Sequence, residues 1–249
     1  MPQLLSPGWF DAVFERVRDV GLPVERSARL QFAAPSTRWC LVVDGGRVSR
    51  WELGDVDDPD IEVRWDDDTA AAILRRELRG NDALLATTVV APDAGGTYVG
   101  TPAPLNLSGR PEAAVLPTFP DASFSAQFTY HGGPFGAVDY LLGFEDGRLA
   151  EEQLTRHDDA DASIECSYLM MAQTRAGEAT ILEALEQGSV RGDIGALAAL
   201  AGIFESPEFH AIEVASGRHA FALGVLGLLD ADRAYADALT DLGSGTEAP

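Results

Sequence analysis

His131, Asp139 and Tyr140 bring an imidazole, a carboxylate and a phenol close together in the chain. An imidazole titrates near neutrality, so with an acid and a phenol beside it the set reads as general acid–base chemistry without a cofactor. The same stretch, Tyr130-His131-Gly132-Gly133-Pro134-Phe135, has a Gly-Gly-Pro centre that predicts a long turn with His131 in solvent. Both readings stand at this point. His157, beside Asp158 and Asp159, reads as a surface charge partner. There is no serine nucleophile elbow, zinc-spaced Cys/His set or Gly-rich nucleotide loop, and His210 and His219 flank a turn without forming a metal pair. No metal or cofactor is expected.

The acidic run Asp55-Val56-Asp57-Asp58-Pro59-Asp60 has the composition of a calcium loop. An EF-hand needs Gly at its sixth place and a bidentate Glu at its twelfth, and these places hold Asp60 and Asp66. The run therefore reads as a turn whose Asp side chains accept backbone N–H bonds. Cys40 and Cys166 lie in apolar, strand-like runs and read as buried, inert thiols.

The 249 residues carry 18 bases against 40 acids, a formal charge of −22, and every base is Arg. Such a chain repels nucleic acid and anionic bilayers. Without Lys it has neither a Schiff-base amine nor a P-loop ammonium. Lys-free, Ala/Arg/Asp/Gly-rich usage points to a GC-rich, actinobacterial genome. Met1 to Pro7 has no basic start leading into an apolar core, and the longest apolar stretch, Ala220 to Leu229, is too short to span a bilayer. The expectation is an acidic, cytoplasmic protein with reduced thiols, a monomer or weak homodimer.

The elements that position these residues follow from periodicity. Phe10, Val13, Phe14 and Val17 predict an amphipathic helix over 9–20. Leu30 to Phe32, Trp39 to Val43 and Val48 to Leu53 read as strands, with a hairpin turn at Asp44-Gly45-Gly46-Arg47. Ile61 to Trp65 alternates with period two, and Asp66 to Asp68 cap an Ala-rich helix running to about Arg79, where Gly80 and Asn81 break it. From Ala91 to Pro120 periodicity gives way to Pro, Gly and Thr, as in a connection. Phe124 to Thr129, Tyr140 to Phe144 and Ala162 to Cys166 then read as strands, and Ser167 as a helix cap.

The second pass repeats the first. At an offset of 101 residues Arg47 meets Arg148, Asp57, Asp58 and Asp60 meet Asp158, Asp159 and Asp161, and Glu77, Ala83, Leu84 and Val89 meet Glu178, Ala184, Leu185 and Val190. Trp39 stands opposite Tyr140. Upstream, Gln31-Phe32 meets Gln127-Phe128 at an offset of 96, so the second copy carries five extra residues in its first hairpin. Two units are expected, a degenerate first copy over 1–112 and a second over 113–249 with a C-terminal helical extension.

On these residues the chain resembles the sterol-carrier-protein (sterol-binding domain) superfamily, as a tandem repeat of two divergent copies. The first copy shows an aromatic strand at Trp39 to Val43, Gly46-Arg47, and Asp58-Pro59-Asp60 before Ile61 to Trp65. The second shows Gly147-Arg148, Asp159-Ala160-Asp161, Gly177-Glu178 and Gly188-Ser189-Val190-Arg191-Gly192-Asp193. The first copy departs from the pattern at Arg76-Glu77, in place of Gly-Glu, and over Thr87 to Ala91, which lacks the closing Gly-Asp.

The resemblance implies an α/β (α+β) fold, with each unit a mixed, mainly antiparallel sheet covered on one face by helices. It also implies an apolar tunnel that binds a hydrophobic small molecule, whether lipid, sterol-like, polyketide or terpenoid. Met suits such a cavity, being flexible and polarizable. The expected lining is Tyr168, Met171, Leu182, Leu185 and Phe204, with Tyr168 at the mouth or on a helix N-terminal surface. Leu169, Met170, Ile181, Ile194, Leu197, Leu200 and Ala201 complete the apolar helix faces. His219 to Leu242 reads as one kinked or two short helices, closing the cavity or packing on the sheet. A binding protein and a cofactor-free cyclase or isomerase of specialised metabolism both fit this reading.

Overall fold

The structure is a computed structural model. It describes residues 2–19, 27–91, 96–99, 121–133, 136–168, 170, 179–180, 183 and 186–204.

Helix α1 (Pro7–Val17) starts where Ser6 accepts the Trp9 N–H at 3.3 Å and Pro7 supplies a preset φ. It buries Trp9, Phe10, Val13 and Val17, the spacing the sequence predicts, but it ends at Val17. Strands β1 (Ala28–Ala34), β2 (Thr37–Asp44) and β3 (Arg47–Leu53) form an antiparallel meander under α1. The chain then crosses over so that β4 (Ile61–Arg64) lies parallel to β1. Strands β5 (Thr88–Ala91) and β6 (Gly96–Val99) complete the order β3-β2-β1-β4-β5-β6. Strand β6 falls where the sequence reads as a connection; Gly96, paired with Ala91, and Thr97 are tolerated because they sit on an edge.

Helix α2 (Asp67–Leu74) is capped by Asp66, which accepts the Thr69 N–H at 2.7 Å. That bond holds the Asp66 carboxyl below its usual range. The helix stops a turn short of the expected Arg79 because Arg76 adopts φ 61 and the Glu77 N–H turns back to the Ala72 carbonyl. Gly80, read as a breaker, opens a short α3 (Gly80–Leu85) instead.

The second sheet contains β7 (Phe124–Gly133), β8 (Gly136–Glu145), β9 (Arg148–Gln153), β10 (Ala162–Ser167) and β11 (Ser189–Gly192), in the order β11-β10-β7-β8-β9. Only β7 and β10 run parallel. Read from β9 inward, strand order and direction match those of β3 to β5 in the first sheet. The five extra residues do not form the expected turn around His131. They lengthen both hairpin strands, and His131 sits within β7.

Helix α4 (Ile194–Phe204) covers the second sheet with Ala196, Ala199 and Leu200, and Asp193 caps it by accepting the Ala196 N–H at 3.0 Å. Ile194, expected on the apolar face, is 83% exposed because it lies at the helix start, off the Ala196/Ala199/Leu200 stripe. The Gly192-Asp193 step has a steric cause. A Cβ on Gly192, at φ 119, would come within 2.1 Å of the Asp161 carbonyl oxygen.

The two sheets share one apolar cluster. Beyond the reach of β9, which pairs only from Leu141 to Glu145, β8 meets α3: the Asp139 N–H donates to Asn81 Oδ1 at 2.9 Å. The long β7–β8 hairpin thus also contacts α3, beside the first sheet. No helix among the described residues is long and apolar enough to cross a membrane.

Candidate functional site

Each sheet has an inner face, toward its helices, and an outer face. Alternation along a strand decides which face a side chain takes. On β7, Ala126, Phe128 and Tyr130 point inward, while Gln127, Thr129 and His131 point outward.

The outer face of the second sheet holds a polar cleft of about 280 Å³. Its floor is Gln127, Thr129, Ser163, Glu165, Ser189 and Arg191, and Arg156, His157, Asp158 and Ala160 form a wall. The Gln127 side chain is buried, donating to the Phe128 carbonyl at 3.0 Å and accepting the His157 N–H at 2.8 Å. Gln31 does the same in the first unit, taking the Val56 N–H at 2.8 Å. The Thr129 hydroxyl donates to Asp139 Oδ1 at 2.7 Å, and Arg156 pairs with Asp158 at 2.8 Å and reaches Asp139 at 3.8 Å. His131 Nε2 pairs with Glu165. His157 uses its backbone, and Arg156, not His157, is the partner of Asp158. The acids Asp139, Asp158 and Glu165 therefore all carry partners from within this face.

The inner faces differ more. In the first unit all four tryptophans of the chain gather with two phenylalanines. Phe32, Trp39 and Trp65 stack on one another pairwise, at 5.3, 5.6 and 6.1 Å, and Phe10 of α1 closes on Trp51 at 5.7 Å. The Trp65 Nε1–H donates to Thr87 Oγ1 at 2.7 Å, and that hydroxyl donates to the Ala83 carbonyl.

At the 101-residue offset, Trp39, Trp51 and Trp65 correspond to Tyr140, Glu152 and Cys166. The pairing agrees, since Leu41 faces Trp51 across the first sheet and Leu142 faces Glu152 across the second. Three indoles are thus replaced by a phenol, a carboxylate and a thiol, and the Tyr140 O–H donates to Glu152. Sequence reading missed Glu152, although the same alignment that set Trp39 against Tyr140 identifies it.

The structure therefore divides the three candidate acid–base residues. His131 and Asp139 lie on the outer face, paired with the cleft residues Glu165 and Thr129, while Tyr140 faces inward and is 1% exposed. Tyr168 is neither at a mouth nor on a surface. It is fully buried, its ring edge-on to Tyr130 at 5.7 Å, just after Ser167, which caps the next turn through the Met170 N–H at 3.0 Å. Met171, Leu182 and Leu185 lie outside the described residues, as do His210, His219 and the expected C-terminal helices; Phe204 ends α4, and its side chain lies outside them too.

Neither Cys40 nor Cys166 is in a disulfide; burial pushes the Cys40 thiol up, and Cys166 packs against the inner core. Among the described residues no three His, Cys, Asp or Glu side chains form a group able to hold a metal. Asp60 and Asp161 act as the turn reading expects, accepting the Arg29 and Ser125 N–H groups, each at 2.7 Å.

No family model and no curated protein matches the chain. Solved structures do. A conserved protein of Thermus thermophilus, described as a candidate sterol carrier protein, is 21% identical over 45% of this chain and 79% of its own, with a TM-score of 0.33. A crystal structure of sterol carrier protein 2 has the same identity and score over 45% of this chain and 88% of its own. A palmitated sterol-carrier-like protein of Aedes aegypti is 15% identical over 34% of this chain and 76% of its own, with a TM-score of 0.28. These similar structures are sterol-carrier-protein-like structures.

Proposed function

We propose that the chain is a duplicated, sterol-carrier-like protein whose second unit, 113–249, binds a hydrophobic small molecule between sheet and helices. The first unit, 1–112, is a degenerate copy that serves as a packed scaffold. The observation that carries this reading is the exchange of Trp39, Trp51 and Trp65 for Tyr140, Glu152 and Cys166 at corresponding inner-face positions. In the first unit the rings fill the space between layers, as a close-packed interior requires. In the second, the corresponding side chains are smaller and α4 turns Ala196 and Ala199 into the interior; the ligand of this reading takes up the difference in volume.

The cofactor-free enzyme reading has less support, because His131 and Asp139 lie on the face away from this space. The direct test is native mass spectrometry with solvent extraction of the purified protein, followed by titration with Nile red. One apolar molecule per chain, displaced by the dye, is expected. A chain that yields no extractable ligand and gives no saturable dye binding at micromolar concentration counts against the reading.

A further inference from the structure

The cleft on the outer face of the second sheet holds a guanidinium with no acid set against it. Register lays its floor out in two rows: Gln127, Ser163 and Arg191 side by side across β7, β10 and β11, then Thr129, Glu165 and Ser189. Residues directly opposite in an antiparallel pair hold their Cβ atoms about 4.5–5.5 Å apart, so the cross-strand neighbour of Arg191 is the Ser163 hydroxyl. The acids of the cleft are engaged elsewhere, Glu165 with His131 and Asp158 with Arg156. Arg191 has no hydrogen bond or ion pair among the described residues, and neither do the Ser163 and Ser189 hydroxyls.

The first unit is built otherwise at these positions. The 101-residue offset sets Glu62 against Ser163 and Val90 against Arg191, and the register agrees, since Glu62 pairs with Val90 as Ser163 does with Arg191. There Glu62 takes Arg64 at 3.0 Å and Arg38 at 3.5 Å, so that face neutralises itself. In the second copy an acid is replaced by a hydroxyl and an apolar residue by a base. The positions that line the cleft hold Asp55, Asp57 and Glu62 against Arg64 in the first copy, but Asp158 and Glu165 against Arg156 and Arg191 in the second.

We propose that this cleft binds a small oxyanion, the carboxylate or phosphate group of a polar molecule, with Arg191 as counter-charge and Ser163 and Ser189 as neutral donors. A guanidinium presents parallel N–H groups that match two oxygens of either group, and such charge-assisted bonds are the stronger class. Each serine adds a donor without a charge. The volume of about 280 Å³ lies at the lower end of small-molecule sites, roughly 300–1,000 Å³, which suits a small ligand. The formal charge of −22 does not forbid an anion here, because at physiological ionic strength charges beyond about 8 Å are largely screened. The local balance decides. This site lies on the sheet face opposite the proposed hydrophobic site and does not depend on it.

The test is isothermal titration calorimetry of the full chain with inorganic phosphate and with succinate, at neutral pH and constant ionic strength, with sodium chloride as the blank. Saturable binding of one anion per chain, in the millimolar range, is expected for at least one of the two, and the tighter one identifies a phosphate or a carboxylate as the preferred group. Arg191→Gln is expected to weaken it at least about tenfold, as loss of one bond from a charged group implies. Ser163→Glu, which restores the acid of the first copy, is expected to abolish it. Arg148→Gln removes the same charge from an exposed position at the start of β9, outside the cleft, and is expected to leave binding unchanged. Far-UV circular dichroism checks that each variant is folded. No saturable binding of either anion up to tens of millimolar overturns the proposal, as does binding that survives both Arg191→Gln and Ser163→Glu, or that Arg148→Gln weakens as much as Arg191→Gln.

Discussion

Asp161 and Thr87 show what single side chains contribute here. The Asp161 carboxylate accepts the Ser125 N–H at 2.7 Å and its hydroxyl at 3.0 Å, and the backbone bond is the larger cause of its lowered pKa. A depressed folded pKa means this contribution is complete above the unfolded value of about 3.9 and disappears as pH falls through the folded value. Thermal melts between neutrality and acid are expected to show a fall in Tm below about pH 4 that is shallower in Asp161→Asn. Thr87→Val leaves the buried Trp65 indole N–H without its acceptor, and is expected to cost about 1–3 kcal/mol in urea denaturation. That the aspartates accept backbone N–H bonds was legible in the acidic run, but their partners Arg29 and Ser125, on or beside distant strands, were not. Nor was the facing of Tyr140, since one residue along a strand reverses the face and only the pairing register settles it. The same register exposes a charge exchange: Arg38 and Asp55, paired at 2.6 Å, correspond to Asp139 and Arg156 at 3.8 Å with the signs reversed.

Among the elements, α2 carries the clearest departure from expectation. Its alanines and acidic cap were readable, but its end depends on Arg76 taking φ 61 at the position where the second copy has Gly177. A non-glycine residue in the left-handed region costs roughly 1–2 kcal/mol. Comparing Arg76→Gly with Arg76→Ala removes the same side chain and isolates the backbone. The glycine variant is expected to be the more stable by about 1 kcal/mol in chemical denaturation. Strands β1 and β2 were legible as short apolar runs and β4 by its period-two alternation; β6 was not, since its Gly and Thr resemble linker composition. The hairpin insertion was visible as five residues, but its strand conformation follows from pairing between β7 and β8, which sequence spacing alone does not specify.

For the whole molecule, the hairpin that carries that insertion also contacts α3. Gly80, at φ 62, opens α3 with its Cα facing the Ala137 carbonyl, where a Cβ would approach within 3.0 Å. Gly80→Val is therefore expected to lower Tm and to broaden or split a calorimetric transition that is single in the parent, whose apolar cluster spans both sheets. The matching order and direction of β3-β2-β1-β4-β5 and β9-β8-β7-β10-β11 agree with the 101-residue offset read in the sequence. The tight aromatic core of the first unit was not legible, because ring packing depends on which faces meet. The exchange of those rings on the second sheet is the central claim, and Cys166→Trp tests it by restoring an indole where the replacement is smallest. Nile red titration of both proteins is expected to show saturable binding to the parent and at least about tenfold weaker binding to Cys166→Trp, with its far-UV circular dichroism unchanged. Equal binding by the folded variant would place any ligand elsewhere and contradict the account.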